Sequence, residues 1–218
     1  TLAGAGNLLI NGTGRQNQRA YASGTATTTA NQFTLDRWFV VTSGQSLIFT
    51  GTAAGYTMTA PAGGVSQVIE GANIVGGTYC LSWTGTATAT VNGASVLNGG
   101  TVTLTAGSNA TVKFSSGTFT QAQLEYGSVQ TPYQWVDVAT ELKVCERYYQ
   151  ESPAQFYASA VSSNFRVGPT WRTVMRATPT LTLASGTAPD TITRFGWSKA
   201  IDNSNSITIS SASAELTA

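Results

Sequence analysis

The chain has 218 residues, with eleven Lys and Arg against ten Asp and Glu, and it contains no histidine. Only 10% of its residues are charged, against roughly 25% in an ordinary soluble domain. The absence of histidine excludes a Ser-His-Asp or Cys-His nucleophile and any His-containing zinc site. A net charge of +1 gives no basic stripe for nucleic acid, and apolar runs no longer than Trp38 to Val41 give no membrane-inserting segment.

Thr, Ala, Gly and Ser take the place of the missing charges, and Thr, being β-branched, favours extended backbone. Strands are predicted at Arg37–Thr42, Gln45–Thr50 and Gly77–Trp83. Residues 84–91 then alternate as Thr-Gly-Thr-Ala-Thr-Ala-Thr-Val, and the same period of two returns at 101–105 and 110–114. Between these runs lie Asn92-Gly93, Asn98-Gly99-Gly100 and Gly107-Ser108-Asn109, which carry hairpin-turn chemistry. A further strand is predicted at Gln121–Tyr126. Turn signals roughly every 8–12 residues over 30–130 predict an antiparallel β-sandwich of the jelly-roll kind, placed in a first domain of residues 1–135.

After Thr131-Pro132 the period changes. Val138, Leu142, Cys145 and Tyr149 share one helical face, so residues 136–152 are predicted to form one short connecting helix. Asp137 or Thr140 is placed to cap it, Arg147 to meet Glu151, and Pro153 to stop it. Strand patterning resumes over 153–218. Phe165, Val167, Trp171 and Met175 fall on one face, with Arg166, Arg172 and Arg176 on the other. Shorter runs follow at Thr180–Leu183, Thr191–Trp197 and Ser206–Ser210. Such a small β domain is expected to pack on the sandwich or on copies of itself. The fold class is therefore all-β.

Cys80 and Cys145 have no CxxC partner and lie in apolar runs, so two buried thiols of a protein made in a reducing cytosol are expected. Thr1 is not an initiator Met, which leads to the expectation of a fragment or a processed product.

Several segments together resemble a known family. Asn7-Leu8-Leu9-Ile10-Asn11-Gly12, then Gln18-Arg19, then Leu35-Asp36-Arg37-Trp38 is similar to the opening of a module of bacteriophage tail fibres. Gln123-Leu124-Glu125-Tyr126-Gly127 followed by Thr131-Pro132-Tyr133 resembles its closing strand, and Glu141 to Gln150 resembles the helix after it. Met175 to Thr180 and Ala214-Glu215-Leu216 resemble the terminal β region of those proteins. The resemblance implies a carbohydrate-binding-module-like jelly roll and a small β domain at the tip of a homotrimeric fibre. It further implies a virion location, with synthesis in the bacterial host cytoplasm. The partner it implies is a host surface glycan, lipopolysaccharide or capsule. Related sugar-binding jelly rolls carry an acidic residue for calcium just after the first-strand Asn-Gly. Here Thr13-Gly14-Arg15 stands in that place, and no metal or cofactor is expected.

A polysaccharide-cleaving spike needs paired carboxylates. Asp36, Glu70, Glu125 and Glu141 are the acids least like loop residues, and Asp36 and Glu125 read better as internal ion-pair and hydrogen-bond partners. No catalytic residue is assigned. Asp202-Asn203-Ser204-Asn205 lacks the glycine and terminal glutamate of a calcium loop and reads as a solvated turn. Glycan recognition draws on aromatic faces and hydroxyl-reading polar groups. Trp38 and Trp83 alternate with apolar neighbours and read as core, and Trp135 as a packing residue at the junction. Trp171 and Trp197, with Tyr157, Arg172 and Arg194, form the candidate carbohydrate platform. Truncating either tryptophan is expected to weaken binding without collapsing the fold; a trimer interface is the competing account of the same residues. The expected function is thus non-enzymatic receptor binding. A depolymerising spike and a purely structural trimerisation cap are the alternatives.

Overall fold

The computed structural model describes residues 6–52, 54–156, 165–167, 170–186, 188–201 and 207–217. The chain divides into two compact units, one running to Glu141 and one from Leu142 to Glu215.

The first unit contains β1 (Gln32–Phe33), β2 (Phe39–Val40), β3 (Ile48–Thr52), β4 (Gly55–Ala60), β5 (Val65–Ile69), β6 (Gly77–Thr84), β7 (Thr88–Val91), β8 (Ala94–Val96), β9 (Gly100–Leu104), β10 (Ala110–Ser115) and β11 (Gly117–Tyr126). One sheet runs β1-β2-β5-β10-β7-β8 and the other β3-β4-β11-β6-β9. From β4 to β11 successive strands alternate between the sheets except at the β7–β8 hairpin, which stays in one sheet, giving the spatial orders 4-11-6-9 and 5-10-7-8. That is jelly-roll topology, two interleaved Greek keys, and the all-β sandwich expected from the Thr alternation is present.

In β10, Ala110, Val112 and Phe114 are buried while Thr111, Lys113 and Ser115 lie nearer solvent, so the period of two sorts apolar from polar residues directly. Phe114 stacks on Phe119 with centroids 4.4 Å apart, and Trp38 and Trp83 each meet this pair from the side. Both tryptophans are core, as the patterning indicated. The Asn92-Gly93 turn joins β7 to β8 with φ of 49° and 83°, the pair of positive values a type I′ hairpin requires.

Strand β5 was not among the predicted strands. All five of its residues are buried, including Ser66 and Gln67. The burial is possible because the Gln67 amide both donates to and accepts from the Ile10 backbone, at 2.8 Å each. Gln67 shares its face with the core residues Val65 and Ile69 and is paired in register with Val112, so an N-terminal segment reaches this inward-facing polar side chain and satisfies it.

Helix α1 (Val138–Glu146) is shorter than the predicted 136–152. The Asp137 carboxylate accepts from the backbone N–H groups of Ala139 and Thr140 at 2.9 and 3.0 Å, an N-cap that also holds its pKa below the usual carboxylate value. At the other end Gln150 donates to the Glu146 carbonyl at 3.1 Å and to the Thr173 carbonyl at 2.8 Å, while its own oxygen accepts from Arg172 N–H. This buried side chain ends the helix and starts β12 (Tyr149–Phe156). Pro153 therefore lies within a strand rather than at a helix stop. The register shifts between Glu151 and Ala154, and an edge strand with a bulge tolerates proline. The Arg147 guanidinium lies 5.6 Å from the Tyr148 ring centre.

The second unit continues with β13 (Phe165–Val167), β14 (Thr180–Gly186), β15 (Thr191–Ile192), β16 (Trp197–Ile201) and β17 (Ile207–Ser213). They form two three-stranded antiparallel sheets, β12-β17-β14 and β13-β16-β15. Its core gathers Trp171, Met175, Trp197, Ile209, Ala212 and Ala214. Cys80 and Cys145 are free and buried.

Candidate functional site

The structure corrects the assignment of Trp171 and Trp197 as an exposed platform. They are 6% and 3% exposed and belong to the core of the second unit. Arg172 is committed elsewhere, donating to Glu146 Oε1 at 3.0 Å and to the Glu151 carbonyl. Tyr157 lies outside the described residues, as does the Asp202–Asn205 turn. Of the five candidates, Arg172 and Arg194 are exposed and Trp197 borders a surface pocket.

What the sequence reading took as a single strand, Thr191–Trp197, is a hairpin between β15 and β16. Thr193 makes it bend. Its hydroxyl accepts from the backbone N–H groups of Phe195 and Gly196, each at 3.2 Å, and donates to the Gly196 carbonyl at 3.0 Å. The backbone N–H of Thr193 closes the turn on the same carbonyl at 2.8 Å. A hydroxyl that folds back on its own backbone competes with the strand ladder, the usual behaviour of Thr at turns.

The turn presents Phe195, 60% exposed, with the Arg194 guanidinium 5.5 Å from its ring centre. Beside the ring lies a shallow pocket of about 290 Å3, floored by Trp197 and Gly196 and edged by Thr170, Thr191, Thr193 and Ser198. No lining residue is acidic. The neighbouring carboxylate, Asp190, is held by Lys199 at 2.9 Å. The arrangement offers an apolar face, several hydroxyls and one delocalised cation, which suits recognition of a polyol face.

Sequence reasoning missed Phe195 because it weighed tryptophans first. The available signal was Thr-Arg-Phe-Gly, a large aromatic next to glycine between two short alternating runs, where a turn is a better reading than a continuous strand. Trp135, expected to pack, is also exposed, with the Tyr133 ring edge-on at 5.2 Å.

The carboxylates of the first unit are bound internally. Asp36 accepts from the Gln18 backbone and side chain at 3.1 and 2.8 Å and pairs with Arg19 at 3.4 Å. Arg37 donates to the Val68 carbonyl at 2.6 Å. Glu125 accepts from the Thr131 hydroxyl and backbone and from Gln123. Glu141 pairs with Arg15 at 2.6 Å. Among the described residues no three His, Cys, Asp or Glu side chains cluster as a metal site, and no helix is long and apolar enough to cross a membrane. No family, no curated protein and no solved structure matches the chain.

Proposed function

We propose that the chain is a non-enzymatic glycan-binding fragment, the receptor-binding region of a phage tail fibre that attaches to lipopolysaccharide or capsule on a bacterial host. A homotrimeric fibre tip on the virion is part of the same proposal, and its support is the ordered set of sequence motifs. The observation that carries the binding function is the exposed Phe195 ring over a hydroxyl-edged pocket, with Arg194 alongside. An aromatic face covers the apolar C–H surface of a pyranose, while Thr and Ser hydroxyls exchange hydrogen bonds with its ring substituents.

The test is binding of purified host surface polysaccharide to the wild-type chain and to Phe195→Ala. The ring is mostly exposed, so the variant is expected to keep its thermal transition. Loss of an aromatic contact of this kind should weaken binding by about tenfold or more. Unchanged binding by the variant would remove this site from the reading, and release of reducing ends during incubation would replace a binding protein with a depolymerase.

A further inference from the structure

We infer that the edge of the jelly roll, along β7, β8 and the turn that follows β8, holds a second ligand pocket, one shaped for a neutral sugar residue carrying a methyl or acetyl group. The pocket has a volume of about 450 Å3, within the range of small-molecule sites. Its origin is in the choice of core residues. Most inward positions of the sandwich carry large side chains such as Val91, Phe114 and Trp83, but Ala87 and Ala89 line this pocket beside Trp83. Small residues next to an indole leave space that interior packing elsewhere fills.

The lip of the pocket is built in advance. The Asn98 side chain accepts from the Trp83 backbone N–H at 3.0 Å and donates to the Trp83 carbonyl at 2.7 Å. Gly99 N–H bonds to the Leu81 carbonyl at 2.9 Å, and Gly100 N–H to the Leu97 carbonyl at 2.7 Å. The turn that carries Leu97 is thereby fixed to β6, and Leu97 itself lines the pocket while 84% exposed. A rigid lip lowers the ordering cost of binding.

Three features define the ligand. No residue lining the pocket is charged, so an anionic sugar would surrender its hydration without a partner. The walls contributed by Ala87, Ala89, Val96 and Leu97 favour an apolar substituent. Thr88 and Ser95 bring hydroxyls to the lining, and Asn98 brings an amide. A 6-deoxyhexose or an N-acetylhexosamine combines the required methyl group with hydrogen-bond acceptors. The choice of a sugar rests on the function proposed above; the pocket and its neutral, partly apolar character do not.

The experiment is a titration of the full chain, followed through the indole N–H resonance of Trp83. The probes are methyl rhamnoside, methyl N-acetylglucosaminide, methyl glucoside and glucuronic acid, with tert-butanol as a small apolar control. The expected result is saturable movement with the rhamnoside or the N-acetylglucosaminide. Methyl glucoside should be weaker by about tenfold or more, the worth of a well-placed methyl group, and glucuronic acid should leave the resonance unmoved. Ala89→Leu, which fills the pocket, should abolish the response. Leu97→Asp, at an exposed position that leaves the core intact, should weaken it. A Trp83 resonance unmoved by either favoured glycoside overturns the proposal, as does an equal response to tert-butanol or a full response in both variants. Polysaccharide binding that depends on Phe195 with a silent Trp83 sinks this pocket alone. A responsive Trp83 in a chain that holds no surface polysaccharide supports the pocket and sinks the receptor reading.

Discussion

The indole N–H of Trp171 donates to the backbone carbonyl of Thr193 at 2.8 Å, tying a buried ring to the turn that displays Phe195. The backbone N–H of Trp171 also bonds to the Phe195 carbonyl at 3.1 Å. Trp171 therefore positions the exposed ring without touching a ligand itself. Trp171→Phe keeps most of the packing and loses the hydrogen bond, so it should cost about 1 kcal/mol and weaken polysaccharide binding measurably. Trp171→Ala should cost about 3–5 kcal/mol, enough to unfold the second unit. Calorimetry of the two variants against wild type checks this. A Trp171→Ala protein with an unchanged transition would restore the earlier expectation that truncation spares the fold.

How much could be read in advance follows from what each pattern encodes. Alternation in β10 and the Asn92-Gly93 turn act locally, and both appear in the structure where the residues placed them. Strand β5 breaks the apolar alternation because a glutamine occupies an inward position between Val65 and Ile69, made possible by a long-range partnership between Gln67 and Ile10 with no local signature. The helix was drawn too long for a similar reason, since its end is set by Gln150 reaching Thr173 across sequence. At the candidate site, residue type misled: tryptophan marks both sugar platforms and cores, and here the small terminal unit uses Trp171 and Trp197 for its core. The ring left on the surface is the one that a threonine-folded turn pushes outward.

Asp36 is buried at the start of the sandwich, accepting two hydrogen bonds from Gln18 and pairing with Arg19, whose guanidinium lies 5.1 Å from the Phe33 ring centre. Removing the carboxylate leaves these donors short of an acceptor, with the penalty of buried unsatisfied groups. Asp36→Ala should therefore lower the unfolding free energy of the first unit by about 3 kcal/mol. Urea denaturation followed by the fluorescence of core Trp38 reports it. A change below about 1 kcal/mol would mean that water replaces the lost acceptor.

Tyr133 links the closing segment of the sandwich to its beginning. Burial pushes its pKa up to about 12, the nearby Glu141 carboxylate adds to the shift, and Arg15 and the Thr13 hydroxyl oppose it. The phenol is neutral when protonated, so a raised value means that the folded chain holds this proton more tightly than the unfolded chain does. Below the ordinary tyrosine value of about 10 both states are protonated and the fold has its full stability. As pH rises from about 10 toward 12 the unfolded state ionises first, and stability declines. Tyr133→Phe removes this ionisation and should flatten that part of the decline, leaving the contribution of other tyrosines, such as Tyr21 with its own burial-raised value, in both proteins. Glu141→Gln removes the repelling charge and lowers the folded-state value, so the decline should begin at the same pH but end sooner and be smaller. Urea midpoints between pH 9 and 12 for the three proteins provide the measurement, and parallel wild-type and Tyr133→Phe curves would show that this phenol is not coupled to folding.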